Sequence, residues 1–460
     1  MESSLSTHFM VTFSDGRVQS VAAGTLIGDL LPQTSAIGLP VVAAKFNNKI
    51  SSLKRILDQD ATVSAVDLGS RDGGLMYRRS VTFLLIRAVK EIFPDLKVYI
   101  NHSLNGGYYG EVYNETLDTT APQLLVDSDL ARIKARIRQI VDADEPFTRT
   151  EVTTDEARKL FQAAGLVDKV ELLNYRHDAK VSIYHSGSMV NHFYGQLVPS
   201  AGYLQDFNLH TCAPGFVLTF PPHGKPGTMP VYRHEERLFA VYQEYESWAR
   251  ILGVRTVAHL NTLVDTKNIN EYVLIAEALH EKKLANLADA ITKHPRKPRI
   301  ILLSGPSSSG KTTTVKRLSI QLRVNGLRPL LIGLDDFFVE RERTPKDENG
   351  DYDFESFKAI DVPLLQDTVR RLLKGEEVAL PKFDFILGRP VPGHHVKLLA
   401  GQPLILEGIH GLNPDLLPEI PDGTKYKIYI SPLTHLNIDD HNRIASSDAR
   451  QIRRLVRDSR

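Results

Sequence analysis

Gly305-Pro306-Ser307-Ser308-Ser309-Gly310-Lys311-Thr312 fits the spacing G-x-x-x-x-G-K-[ST]. Such a loop gathers backbone N–H groups and the positive end of a helix at one point, where a polyphosphate sits. Its flanks agree. Arg299 to Ser304 is a short apolar run bounded by Pro298 and Gly305, which predicts a buried parallel strand. Lys311 to Asn325 predicts a helix with Val315, Leu318, Ile320 and Leu322 as its apolar positions. Gly305 and Gly310 permit the tight turn, and Ser307, Ser308, Ser309 and Thr313 complete the cradle. Lys311 is expected on the β/γ-phosphates and the Thr312 hydroxyl on Mg²⁺, which makes ATP and Mg²⁺ the expected cofactors.

Outward from the loop, strand and helix alternate as a doubly wound parallel sheet requires. Leu330 to Leu334 predicts the second strand, leading into Asp335-Asp336-Phe337-Phe338. Ligands bind at the carboxyl ends of such strands, so Asp335 can take a proton from an attacking hydroxyl and help hold Mg²⁺. Pro403 to Ile409 is another apolar run, and Glu407 near its end is a second metal-side carboxylate. Tyr426 to Ile430 is a further strand. Arg450, Arg453, Arg454 and Arg457 fall within two helical turns and offer forked donors to phosphoryl oxygens.

At 460 residues the chain accommodates about three domains, and its net charge of +1 speaks neither for nor against a nucleic-acid partner. A single cysteine, Cys212, excludes an internal disulfide and suits a reducing compartment. No apolar run reaches membrane-spanning length, so a cytoplasmic protein without a membrane partner is expected.

Four regions are expected: a β-rich module over 1–70, an α+β unit over 71–228, a helical connector over 229–295 and the phosphate-loop domain over 296–460. The first region, through Val41 to Asn48, Leu53 and Asp60-Ala61, resembles the TGS domain, a β-grasp module of threonyl-tRNA synthetases. The second resembles the editing domain of the same enzymes through Tyr77 to Ser80, Gly106 to Tyr109 and Val198 to Gly202. That family carries an H-x-x-x-H pair on the first helix and a cysteine and a histidine further on. Here the matching positions hold Arg79 and Phe83, then Phe193 and Leu197, none of them a metal ligand or acid–base group. The resemblance therefore implies a retained fold without editing chemistry. It also implies a tRNA or nucleotide contact through the N-terminal modules. His185, His192, His210 and Cys212 share this unit, but their spacing matches no zinc pattern, and ordinary hydrogen bonding is expected for them.

The last region resembles the uridine kinase and phosphoribulokinase family. The matching pieces are the phosphate loop, Asp335 to Phe338, Tyr352-Asp353-Phe354, Pro381 to Phe385, Glu407 to Ile409 and Arg453 to Asp458. The resemblance implies an ATP-dependent kinase acting on a hydroxyl of a nucleoside or related sugar. Lys311, Asp335, Arg454 and Arg457 would be catalytic, with Asp335 the base and the arginines part of a lid. Thr312, Asp335 and Glu407 would surround the metal. Asp353 would bind sugar hydroxyls, Phe383 would stack near the base, and Arg389 would join them in the acceptor pocket. Two departures stand out. Uridine kinases carry a histidine shortly after the segment matched by Pro381 to Phe385, where this chain runs Ile386 to Arg389. The family also continues beyond the lid, so an incomplete chain is expected at Arg460. The alternative is a nucleotide-sensing or RNA-associated regulator without efficient turnover. The fold class expected is α/β: a phosphate-loop kinase domain preceded by a β-grasp module and an α+β editing-like domain.

Overall fold

Two units divide the chain in a computed structural model that describes residues 7–116, 121–434 and 436–459; the chain end at Arg460 lies outside them. The first unit takes the residues up to 267 together with 436–445, and the second takes 268–434 and 446–459. Each unit is therefore discontinuous in sequence.

The first unit opens with a five-stranded sheet built from β1 (His8–Phe13), β2 (Val18–Ala22), β3 (Val41–Phe46), β4 (Lys49–Ser51) and β5 (Ala61–Asp67). Its order is β2-β1-β5-β3-β4, with β1 and β5 parallel and the other pairs antiparallel, a β-grasp arrangement. Ser70 caps α1 (Arg71–Ile92) by accepting a hydrogen bond from the Gly73 N–H. Behind α1 come β6 (Leu96–Leu104), β7 (Gly107–Asn114), α2 (Asp127–Asp142), β8 (Thr148–Thr153), α3 (Thr154–Ala163) and α4 (Val167–Leu173). β9 (Lys180–Ser186), β10 (Met189–Asn191), β11 (Asn208–Cys212) and β12 (Gly215–Thr219) complete two further sheets, ordered β10-β9-β8 and β11-β12-β7-β6. Helices α5 (Glu236–Leu252) and α6 (Val257–Asp265) also belong here. On α5 the buried side is Phe239, Tyr242, Glu246 and Ala249; Leu238 and Val241 face solvent.

Of the four positions matched above to editing ligands, Phe83, Phe193 and Leu197 lie in the apolar core. Phe83 is fully buried on α1, and its ring lies 5.5 Å from that of Phe193. Leu197 belongs to the same core. Arg79 points to the Gln196 carbonyl at 3.5 Å, its pKa lowered by burial. The histidines and the cysteine have separate partners. His192 Nδ1 lies 2.7 Å from the Ser182 carbonyl, His210 stacks on Tyr232, and Cys212 faces His234.

The second unit starts with α7 (Ile269–Thr292), followed by β13 (Ile300–Ser304), α8 (Lys311–Val324), β14 (Leu330–Gly333) and α9 (Val362–Leu373). An antiparallel hairpin, β15 (Glu377–Asp384) and β16 (Arg389–Lys397), precedes β17 (Leu404–Glu407) and β18 (Lys425–Tyr429). The last helix is α10 (Ser446–Asp458). The parallel sheet runs β14-β17-β13-β18. β13 is buried at every residue because both of its faces are covered. Ile300 and Leu302 meet α9 through Leu365, Val369 and Leu372. Ile301 and Leu303 meet α8 and also Leu284, Ala288 and Ile291 of α7. Alternation along a strand sends successive side chains to opposite layers, so a continuous apolar run is what a doubly covered strand demands. On α8, Ile320 is exposed rather than a core position. Among the described residues no helix is long and apolar enough to cross a membrane.

Candidate active site

β17 lies between β13 and β14, with Glu407 opposite Leu303 on one side and Gly333 on the other. The loop after β13, the Glu407 tip and the short 3-10 turn Leu334–Phe337 after β14 thus meet along one edge of the sheet. Gly305 has a packing reason to be glycine: a Cβ there would strike the Ile430 carbonyl and the Ser309 hydroxyl. Gly310 caps α8 with φ +96°, and Ser308 takes φ +60°, left-handed conformations that turn the loop over the helix start.

A cavity of about 890 Å³ opens over this edge. Ser307, Ser308, Gly310, Lys311, Thr312, Thr313, Asp335, Glu407 and Arg457 line it. The Thr312 hydroxyl donates to Glu407 Oε1 at 2.8 Å. Glu407 Oε2 is buried with no hydrogen-bond partner, as are the Ser308 and Ser309 hydroxyls. A buried carboxylate oxygen left unpaired is costly, and hard oxygen donors beside it fit a divalent cation such as Mg²⁺. Lys311 Nζ donates to the Pro306 carbonyl at 3.2 Å. Burial lowers the Lys311 pKa, opposed by Glu407 and Asp335. Burial raises that of Asp335, opposed by Lys311.

Helix α10 closes one side. Arg450 Nε donates to the Ser307 carbonyl at 3.2 Å and Arg453 Nε to the Ser308 carbonyl at 3.0 Å. Arg453, Arg457, Ile452 and Val456 line the cavity, whereas Arg454 is 70 % exposed and pairs with Asp458 at 3.6 Å. Arg457 also pairs with Asp458, at 2.8 Å.

Three residues expected on the acceptor side lie elsewhere than on the cavity wall. Phe383 is 3 % exposed within the core, edge-on to Phe338 at 5.6 Å. Asp353 Oδ1 accepts the Glu355 N–H at 3.0 Å and so shapes a turn. Arg389 is exposed on β16, paired in register with Asp384. The cavity instead takes Phe338, Phe354, Glu355 and Ile409. Phe354 and Glu355 directly follow Asp353, so the signal was the motif's next two residues. On α10 the signal was the i, i+4 pairs 452/456 and 453/457, which share a face.

Residues 300–459 match the family model of the Phosphoribulokinase / Uridine kinase family. The N-terminal region matches threonine–tRNA ligases. That of Desulforamulus reducens is 31% identical over 205 residues, covering 44% of this chain and 31% of the ligase. That of Bacillus subtilis is 32% identical with the same coverage. The match thus spans about a third of the length of these curated relatives. Among solved structures, a possible uridine kinase from Bacillus stearothermophilus is similar at 24% identity and TM-score 0.28, over 32% of this chain and 79% of that one.

Proposed function

We propose that the chain is an ATP- and Mg²⁺-dependent kinase that transfers the γ-phosphoryl group to a hydroxyl of a nucleoside or related sugar. The observation carrying this reading is the convergence of Lys311, Thr312, Asp335, Glu407 and Arg457 on one cavity at the carboxyl ends of β13, β14 and β17. The phosphate loop holds the donor's polyphosphate through its N–H groups, with Lys311 on the β/γ oxygens. Thr312, Asp335 and Glu407 would hold Mg²⁺, which neutralises phosphate charge when bound. Asp335 orients the acceptor hydroxyl and takes its proton; its raised pKa makes it the better proton acceptor once ionised. Arg453 and Arg457 face the charge that develops during transfer. On the acceptor side, Phe338 and Phe354 offer apolar surface and Glu355 a hydroxyl acceptor.

A panel of nucleosides and sugars incubated with ATP and Mg²⁺ tests this. Acceptor-dependent ADP release that disappears in Lys311→Ala supports it; hydrolysis indifferent to every acceptor rejects it in favour of an ATPase. The likeness of the N-terminal region to threonine–tRNA ligases supports a second reading, a tRNA contact by the first unit. Salt-dependent tRNA binding is its test.

A further inference from the structure

In the first unit a cavity of about 720 Å³ gathers cations and aromatic rings. Lys97 and Tyr99 of β6, Tyr113 of β7, and Ser247 and Arg250 of α5 line it, with Arg255 just beyond the end of that helix. The Arg255 guanidinium lies over the Tyr99 ring at 4.2 Å and near the Tyr113 ring at 5.3 Å. Arg250 Nη1 donates to the Tyr113 hydroxyl at 3.2 Å. Tyr113 in turn donates to the buried Glu111 at 2.7 Å, so Glu111 is satisfied by tyrosine hydroxyls rather than by arginine. Among the described residues, no carboxylate lies within ion-pairing distance of Arg250 or Arg255. The other acids nearby are engaged: Asp440 with Lys97 at 2.9 Å, Glu246 with His102 at 3.0 Å, and Glu115, on the cavity wall, with Lys90 at 3.7 Å.

The walls are held in place from behind. The Ile100 N–H donates to the Asp440 carbonyl at 2.9 Å, and the Asn437 N–H to the Arg255 carbonyl at 3.0 Å. Two guanidinium groups outside any ion pair, held on one wall, offer forked donors to a dianion. Rings beside them favour a planar substituent. The volume lies within the range of small-molecule sites, roughly 300–1,000 Å³.

We propose that this cavity binds a small phosphate monoester of the nucleotide or sugar-phosphate class, its phosphate on Arg250 and Arg255. The proposal is independent of the kinase reading.

Calorimetric titration of the full chain with adenosine 5′-monophosphate, ribose 5-phosphate and inorganic phosphate tests it, alongside emission of Trp248, the sole tryptophan, next in sequence to Ser247. Ser247→Glu places a negative charge in the mouth without removing a packed group. Binding of at least one ester should weaken about tenfold or more in Ser247→Glu and in Arg250→Gln/Arg255→Gln, and persist in Lys311→Ala. Adenosine 5′-monophosphate outbinding ribose 5-phosphate assigns a ring contact, and equal binding assigns the phosphate and sugar alone; both support the site. Absence of binding, indifference to Ser247→Glu, or loss in Lys311→Ala alone overturns it.

Discussion

Asp335 and Glu407 are both carboxylates at strand tips, yet their surroundings differ. Burial raises the Asp335 pKa. Glu407 has one oxygen on the Thr312 hydroxyl and the other unpaired. On the proposed mechanism, Asp335→Asn keeps the shape of the donor site and removes the proton acceptor. It is expected to leave ATP affinity within a fewfold and lower kcat by about 10²–10⁴. Glu407→Gln is expected to act on the metal instead, raising the Mg²⁺ concentration for half-maximal rate by about 10–100-fold. Steady-state rates at varied ATP and Mg²⁺ separate the two effects. At this scale the donor side was legible in the sequence, because loop spacing and strand-end acids fix backbone position directly. Phe383 was less so: whether an aromatic residue in a hairpin faces a ligand or the core depends on register against its neighbours, and here Phe338 and Phe385 enclose it.

Among the elements, α10 and α1 carry the contrasts. Four arginines within two turns read as one face, yet the helix splits them. Arg450 and Arg453 hold loop carbonyls, Arg457 faces the cavity, and Arg454 pairs outward. Arg457→Ala is expected to lower kcat by about tenfold or more, and Arg454→Ala by less than about twofold, since an exposed pair contributes little. Parallel kinase assays check the difference. Phe83 of α1 packs against Phe193, and on the editing-domain resemblance these two occupy ligand positions. Purified chain is therefore expected to release no serine from mischarged seryl-tRNA beyond the buffer rate. In the phosphate-loop region strand and helix identity followed from apolar runs and periodicity. Membership did not: α7 reads as part of a connector, but its Leu284, Ala288 and Ile291 cover one face of the parallel sheet. An amphipathic helix announces that it has a buried side without naming the surface it meets.

For the whole molecule, the decisive stretch is 436–445, which belongs to the first unit although the chain before and after it belongs to the second. Nothing in local sequence marks this, because the reason is a set of distant partners. Asp439, fully buried, meets Lys169 Nζ at 2.8 Å, and the Asp440 N–H donates to Asp168 at 3.0 Å. His441 lies among Asn191, Lys169, Asp168, Asp439 and Lys97. Asp439→Ala strips Lys169 of its closest counter-charge and is expected to reduce the stability of the first unit by about 3–5 kcal/mol. The same network predicts an acid sensitivity. Burial, reinforced by Lys169, holds His441 down to about 3 and His192 down to about 4, while an unfolded histidine titrates near 6.5. Between about pH 6.5 and 4 the unfolded chain therefore binds protons that the native unit refuses. The stability these neutral histidines contribute is intact above pH 6.5 and drains as the pH falls towards their native values, by up to about 1.4 kcal/mol per pH unit for each. Asp440, pushed up to about 6 by burial and Asp168, takes a proton in the native unit between about pH 6 and 4 and offsets one of the two histidines. Urea denaturation at pH 7.5, 6 and 5 should still show the midpoint falling with acid, and His441→Asn should flatten that slope whatever its effect at pH 7.5. A slope unchanged by the substitution would mean that this ring does not stay neutral in the native unit.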